Sequence, residues 1–260
     1  GAYDGKIVER NAAGEEVRPL DISITKNVLG LFINSAVLLV IMMSCVRWYK
    51  KHPLEDGAPR GGVGMIEATV LSIYNDVIKG CIGENYRRYA PYLLTAFFFV
   101  LVNNLMGLVP IFPGGANVTG NIAITLVLAL CTFVLTNVYG TKAYWKEIFW
   151  PDVPTWLKAP VPMMPLIEFF GIFTKPFALM IRLFANIMAG HAAVLSLIAI
   201  IFITVKSGPV INGSMTVVAV AFGIFMDALE ILVAFIQAYV FTMLSAVFIG
   251  LSQVKEHAKK

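Results

Sequence analysis

The sequence predicts an all-α integral membrane protein. About five membrane helices are expected, the last two forming a long, steeply tilted hairpin, together with one interfacial amphipathic helix. Three observations predict this. Of 260 residues, 58% are hydrophobic and only 14% are charged, and the mean hydropathy is +0.77; a soluble domain of this length carries far more charge. Apolar runs of about 20 residues recur, the length a helix needs to cross a hydrocarbon core of about 30 Å. Lysine and arginine concentrate in alternate connections, as they do in cytoplasmic loops. The net charge of +4 is therefore a marker of orientation and not of nucleic-acid binding.

Residues 1–26 read as a polar exterior N-terminal segment without an apolar targeting core. The chain opens on Gly1, which reads as a processed start; an excised export signal would leave this end outside. Residues 27–260 are expected to form a single membrane domain. Its first span, 27–46, ends in the basic and aromatic run Arg47 to His52, a cytoplasmic boundary. A Gly- and Pro-containing linker, 53–62, follows. In 63–82, Val63, Ile66, Val70, Ile73 and Val77 recur at spacings of three and four, with Glu67, Asp76 and Lys79 on other faces. This is an amphipathic helix that either lies in the interface or packs on a partner.

Arg87 and Arg88 hold the next connection on the cytoplasmic side. The second span, 91–110, contains Asn103 and Asn104, read as interhelical glue. A turn-rich exterior loop, 112–120, leads to the third span, 121–140. The return linker, 141–160, carries Lys142, Lys146, Lys158 and three tryptophans, as interfacial segments do. Two overlong apolar segments follow, 163–205 and 213–251. As helices they would be roughly 65 Å and 58 Å long, about twice a bilayer, which ordinary tilt does not absorb. The basic C-terminus is placed in the cytoplasm.

The first long segment holds the main chemical signal. From Pro176 to Val205 the only formally charged side chain is Arg182. A guanidinium stays charged at physiological pH, and at a bilayer centre it costs about 2.5–3.5 kcal/mol on insertion scales. A charge retained at that cost is expected to have a negative partner. Asn186, four residues on, shares its face, and Glu168 lies two heptads earlier. His191 falls on nearly the opposite face, about 13 Å further along. In the second long segment the charges are Asp227 and Glu230, with Gln237 on the stripe of Glu230. A hairpin turning near Ser207–Pro209 places His191 and Glu230 at similar depth, as a proton-relay pair would be. Taken singly, Asn186 and Gln237 read more readily as interhelical glue.

The stretch from Lys175 to His191, KPFALMIRLFANIMAGH, resembles the signature of subunit a of F-type ATP synthases. The run from Leu229 to Phe241, LEILVAFIQAYVF, resembles that family's last helix, and NNLMGLVP, ending at Pro110, also fits. The resemblance covers about 25–255. It implies a proton-translocating subunit that provides two offset half-channels, with Arg182 coupling proton flow to rotation of a ring of c subunits. It implies that His191 and Glu230 line the exterior half-channel, that Asn186 and Gln237 lie near the ring, and that Glu168 lies in the cytoplasmic half-channel. Some relatives carry an acid where this chain has His191 and a histidine where it has Glu230; the reversal keeps one group of each type. The implied partners are the c-ring, the peripheral-stalk b subunits and the rest of the complex. The implied setting is an energy-transducing membrane, a bacterial plasma membrane, with the N-terminus outside.

The sequence lacks GxxxxGK[ST], so nucleotide phosphates are not expected to bind here by a P-loop, and ATP chemistry falls to partners. No cofactor or metal is expected: Cys45, Cys81 and Cys131 are widely spaced, and one intramembrane histidine does not make a ligand set. A stand-alone ion-coupled secondary transporter is the competing reading, but it predicts internal repeats, which the hydropathy pattern lacks.

Overall fold

Helices dominate because apolar segments in lipid must satisfy their backbone groups internally. The computed structural model describes residues 9–10, 16–17, 25–52, 59, 61–109, 118–149 and 163–253. The tip of the exterior loop, the linker residues Trp150, Trp156 and Lys158, and the basic C-terminus lie outside the described residues. Two antiparallel two-residue strands, β1 (Glu9–Arg10) and β2 (Glu16–Val17), precede the helical body.

α1 (Lys26–Lys51) begins where the Thr25 hydroxyl accepts the Val28 N–H, an N-cap that satisfies one orphan donor. Its last turn carries Lys50 and Lys51. α2 (Gly62–Ser72) passes into a π-helical segment (Ile73–Lys79), then α3 (Gly80–Ile82), a 3₁₀ turn (Gly83–Asn85) and α4 (Tyr86–Leu108). The apolar stripe of this amphipathic stretch turns inward. Ile73, Val77, Ile78 and Ile82 are buried and join the core with α4 and α8 residues, while Met65 and Leu71 remain exposed. The partner that the pattern calls for is supplied by the same chain.

α5 (Ile122–Val138) is capped by Asn121, whose side chain accepts the Ala123 N–H. The short α6 (Lys142–Phe149) leads toward α7 (Met163–Thr204) and α8 (Pro209–Ser252), of 42 and 44 residues. At 1.5 Å per residue these two run about 63–66 Å. α7 continues through Pro176. Between them, a 3₁₀ turn (Val205–Ser207) ends at Gly208, whose φ is 101°; glycine reaches that region without steric cost. Pro209 then occupies the first turn of α8, where its missing N–H loses nothing. The Thr204 hydroxyl donates to the Asn212 side chain across the turn at 2.9 Å.

The core lies between α4 and α8. Leu93, Phe97 and Val100 of α4 are buried among Ala238, Phe241, Ala246 and Ile249 of α8. Small residues let two helix axes approach closely, which in lipid supplies the packing that holds a bundle together. At the C-terminal end the approach is closest: a side chain on Gly250 would collide with the Cys81 carbonyl. The same end is tied down by Thr141 N–H donating to the Ser252 carbonyl at 2.9 Å, and by the Gln253 amide donating to the Tyr139 carbonyl at 2.7 Å. Polar pairs tie the other helices. Asn34 of α1 donates to Asn103 of α4 at 2.9 Å, and the hydroxyls of Tyr92 and Thr132 meet at 2.8 Å.

The outer faces of the long helices are uncovered. Phe169, Phe170, Phe173 and Phe177 of α7, and Phe222, Phe225 and Leu232 of α8, are exposed. Among the described residues, four helices are long and apolar enough to cross a membrane, and α5 is a shorter apolar helix. Apolar surface on this scale has lipid or protein as its solvent. The molecule is an all-α integral membrane protein.

Candidate functional site: a cavity between α4, α7 and α8

Four of the six residues singled out in the sequence converge. Asn186 and His191 of α7, and Glu230 and Gln237 of α8, line one cavity of ≈ 270 Å³, with α4 forming its third wall. A cavity needs only about 10–15 Å³ of such volume to hold a water molecule, so this one has room for a connected chain. Two of its lining residues are joined, the Asn186 amide donating to the Gln237 carbonyl oxygen at 3.3 Å. Gln237 is buried, whereas Asn186 is half-buried.

Glu230 sits flat against α7 because residue 190 has no side chain. A Cβ at Gly190 would lie 2.5 Å from Glu230 Oε1 and 3.0 Å from its Cδ. Oε1 is buried and accepts no hydrogen bond from the described residues. His191 and Asp227 are near enough to act on Glu230 electrostatically. His191 is half-buried in the cavity wall and Asp227 is exposed outside it. The hairpin turn thus brings histidine and acid together, though they are 39 residues apart in the chain.

Arg182 and Glu168 lie outside this group. Arg182 is exposed on α7 and makes no hydrogen bond or ion pair with another described residue. Nine residues separate it from His191, so the two point to nearly opposite sides of the helix. Glu168 is half-buried near the other end of the pair, about 21 Å from Arg182 along the axis. Tyr144 of α6 is its neighbour: burial, and then the charge of Glu168, push the Tyr144 phenol above its ordinary value. Nearby, Asn137, Tyr144 and Lys175 border a narrow gap between α5, α6 and α7. No cluster of side chains able to hold a metal ion occurs among the described residues.

Asn103 and Asn104 both join helices, as mid-span amides are expected to. Asn103 does so through Asn34 of α1, and Asn104 through its amide, which donates to the Ala234 carbonyl of α8 at 3.3 Å. Adjacent residues on a helix point about 100° apart, so the two reach different neighbours, and Asn104 also borders the cavity, which periodicity within one span does not give.

This arrangement has relatives. The ATP synthase A chain family matches residues 29–250. The chain is 46% identical to the ATP synthase subunit a of Chlorobium phaeobacteroides over 98% of its own length and 74% of that protein's. It is 47% identical to subunit a 2 of Chlorobaculum tepidum, covering 91% of this chain and 65% of the relative, and 42% identical to subunit a of Myxococcus xanthus, covering 92% and 75%. With its long apolar helices and a cavity between α4, α7 and α8 that gathers four of its few intramembrane polar groups, the chain belongs to the ATP synthase A chain family, the membrane-embedded subunit a of the F-type complex.

Proposed function

We propose that this chain translocates protons through two offset half-channels and couples their flow to rotation of a c-subunit ring by means of Arg182. One observation carries the reading: Arg182 is an exposed permanent cation on a long apolar helix, without an acidic partner among the described residues. In lipid, a lone guanidinium is tolerated only beside water or a negative group. A ring carboxylate supplies that group and is itself mobile.

The physics of the exchange follows from charge. A carboxylic acid facing lipid is favoured in its neutral form, because ionisation there is unsolvated. Beside Arg182 the ionised form gains about 4 kcal/mol at 4 Å for an effective dielectric of about 20. That equals about three units of pKa, enough to release the proton on arrival. The departing proton leaves by one half-channel and the next is taken up from the other. Arg182, fixed between them, opposes direct passage of a proton by like charge. The cavity bordered by His191, Glu230, Asn186 and Gln237 serves as the exterior half-channel, and Glu168 with its surroundings serves the cytoplasmic one.

In this reading the subunit itself does no ATP chemistry. Its partners are the c-ring, against the uncovered faces of α7 and α8, and the peripheral-stalk b subunits. The membrane is the bacterial plasma membrane, with the N-terminus outside and the C-terminus in the cytoplasm. The test is ATP synthesis and ATP-driven proton pumping by complexes carrying Arg182→Ala. Assembly should persist while both activities fall to background. Arg182→Lys should also fail in synthesis, because lysine is a point charge able to lose its proton. Coupled synthesis at the wild-type rate in assembled Arg182→Ala complexes would refute the reading.

A further inference from the structure

The π-helical segment Ile73–Lys79 brings together four groups that have no part in the cavity. On a regular α-helix, residues five apart point about 140° apart. A π-helix closes its turns from i to i+5, so Lys79 comes round to the side of Tyr74. The turn at Gly83, with a φ of 74°, then sends the chain back. A straight helix would hold Tyr74 and Tyr86 about 18 Å apart; here their rings pack edge-on, with centroids 5.4 Å apart. Arg87 donates from Nε to the Tyr86 hydroxyl at 3.4 Å, and its charge reaches both phenols. The Lys79 charge reaches Tyr86 as well. Lys79 and Arg87 are exposed, and neither makes an ion pair among the described residues. Of the acids nearby, Asp76 accepts from the Ser72 hydroxyl at 3.0 Å, and Glu84 is engaged in an interaction of its own.

Two cations and two phenol hydroxyls gathered in one place suit an anion. The guanidinium and the ammonium supply charge, and each hydroxyl has a proton to donate. Tyr86 accepts from Arg87 and so keeps its own hydrogen for a ligand. We propose that Tyr74, Lys79, Tyr86 and Arg87 bind the phosphate of an anionic phospholipid headgroup. The surroundings favour a lipid over an acidic protein segment. The site lies where α4 begins, within a stretch long and apolar enough to cross a membrane, and tyrosine is at home at a membrane surface. Leu71, one turn before Tyr74, is exposed and offers an acyl chain apolar surface beside the headgroup. On the other side of the segment, Ile73, Val77 and Ile78 are buried in the core, which holds the site in shape before the lipid arrives. The site stands apart from the cavity and does not depend on the reading of Arg182.

The experiment uses the assembled complex in phosphatidylcholine vesicles. A fluorophore is attached through Gly80→Cys, where a Cβ meets nothing within 4 Å, alongside Cys45→Ser, Cys81→Ser and Cys131→Ser; the same complex without Gly80→Cys gives the background. Quenching is compared for phosphatidylglycerol and phosphatidylcholine carrying the same nitroxide on the acyl chain. Each basic residue at a membrane surface favours anionic lipid about fivefold. Phosphatidylglycerol should therefore reach equal quenching at a lipid fraction at least fivefold lower. Lys79→Gln with Arg87→Gln should bring the two lipids within twofold. Tyr74→Phe with Tyr86→Phe keeps every charge and both rings, and should lower the preference at least twofold, which a diffuse positive surface would not show. The phenylalanine pair also carries the test should the glutamine pair fail to assemble. Equal quenching by the two lipids with all four groups intact overturns the site, as does an unchanged preference in the phenylalanine pair. A preference abolished by inorganic phosphate, but not by chloride at equal ionic strength, would show that the groups hold free phosphate and overturn the lipid assignment.

Discussion

Adding one methyl group at Gly190 separates the function of the Glu230 carboxylate from the stability of the helix pair. The new Cβ of Gly190→Ala would lie 2.5 Å from Oε1, roughly 0.9 Å inside ordinary contact. The neighbour is the far end of a flexible side chain, so the helices stay in place and the carboxyl swings away. An off-rotamer adjustment of that kind costs about 0.5–1.5 kcal/mol. Replacing a helical glycine by alanine returns about 1 kcal/mol. The two nearly cancel, and assembly should be unchanged. Proton transfer is far less tolerant, since hydrogen-bonded relays work over heavy-atom distances of about 2.6–3.2 Å. A displacement near 1 Å breaks one link, and flux per complex should fall by about tenfold. Combining Gly190→Ala with Glu230→Asp, one methylene shorter, withdraws the oxygen at the 2.5 Å contact and relieves the collision, and it should recover flux beyond that of Gly190→Ala. The assay is potential-driven proton flux in liposomes, with assembled complex counted in parallel. Unchanged flux in Gly190→Ala would show that the seat of Glu230 against α7 does not matter. A double variant no better than either single one would show that the two positions are uncoupled.

The remaining predictions concern the pair, the orientation and the α6 contact. His191→Ala should slow ATP-driven pumping without making the membrane leaky, because Arg182 remains. The exchange of His191→Glu with Glu230→His should recover more pumping than either change alone, and a double variant no better than the worse single one would sink the energetic pairing. Cysteines introduced as Gly115→Cys and as Lys146→Cys should react with an impermeant thiol reagent from outside and from the cytoplasm respectively; the opposite pattern would reverse the half-channels. Tyr144 should ionise later than an ordinary tyrosine, read as the difference in phenolate absorbance between wild type and Tyr144→Phe. Glu168→Gln should remove only part of that upward shift, because burial is its larger cause. The sign follows: a phenol that holds its proton more tightly when folded makes no pH-dependent change below about pH 10, and the α6 contact weakens as pH rises from there through the elevated folded value.

Helix type and position were legible because hydrophobic length is a one-dimensional property. The two overlong segments show it best: the structure has helices of 42 and 44 residues there, joined at the Gly and Pro that the sequence marks as a break. Which face each helix turns inward was less legible. The stripe from Ile73 to Ile82 suits an interface or a partner equally well, and only the fold reveals that α4 and α8 cover it. The π-helical stretch at Ile73–Lys79 has no sequence mark that we can identify. At the site, the matching depths of His191 and Glu230 could be counted from the turn, since a hairpin conserves distance from its bend. The contact of Gly190 with Glu230 and that of Asn104 with Ala234 could not be counted, because each is made with a different helix.

The placement of Arg182 outside the cavity gives the arrangement its logic. A continuous chain of water and amides reaching the guanidinium would let protons cross along one path, with nothing rotating. Here the lining includes the hydrogen-bonded Asn186 and Gln237, one helical turn from Arg182, and Arg182 is exposed outside it. In the proposed reading the gap is bridged only when a partner's carboxylate arrives beside that turn. Asn186 shares the face of Arg182 through its four-residue spacing, and it also reaches Gln237. In that reading it stands where the cavity and the partner-facing surface meet, and the carboxylate would take its proton there as it moves away from Arg182. The uncharged character of Asn186 and Gln237 suits that position. Amides offer donors and acceptors without a charge of their own, so they can pass a proton's influence along without competing for the proton itself.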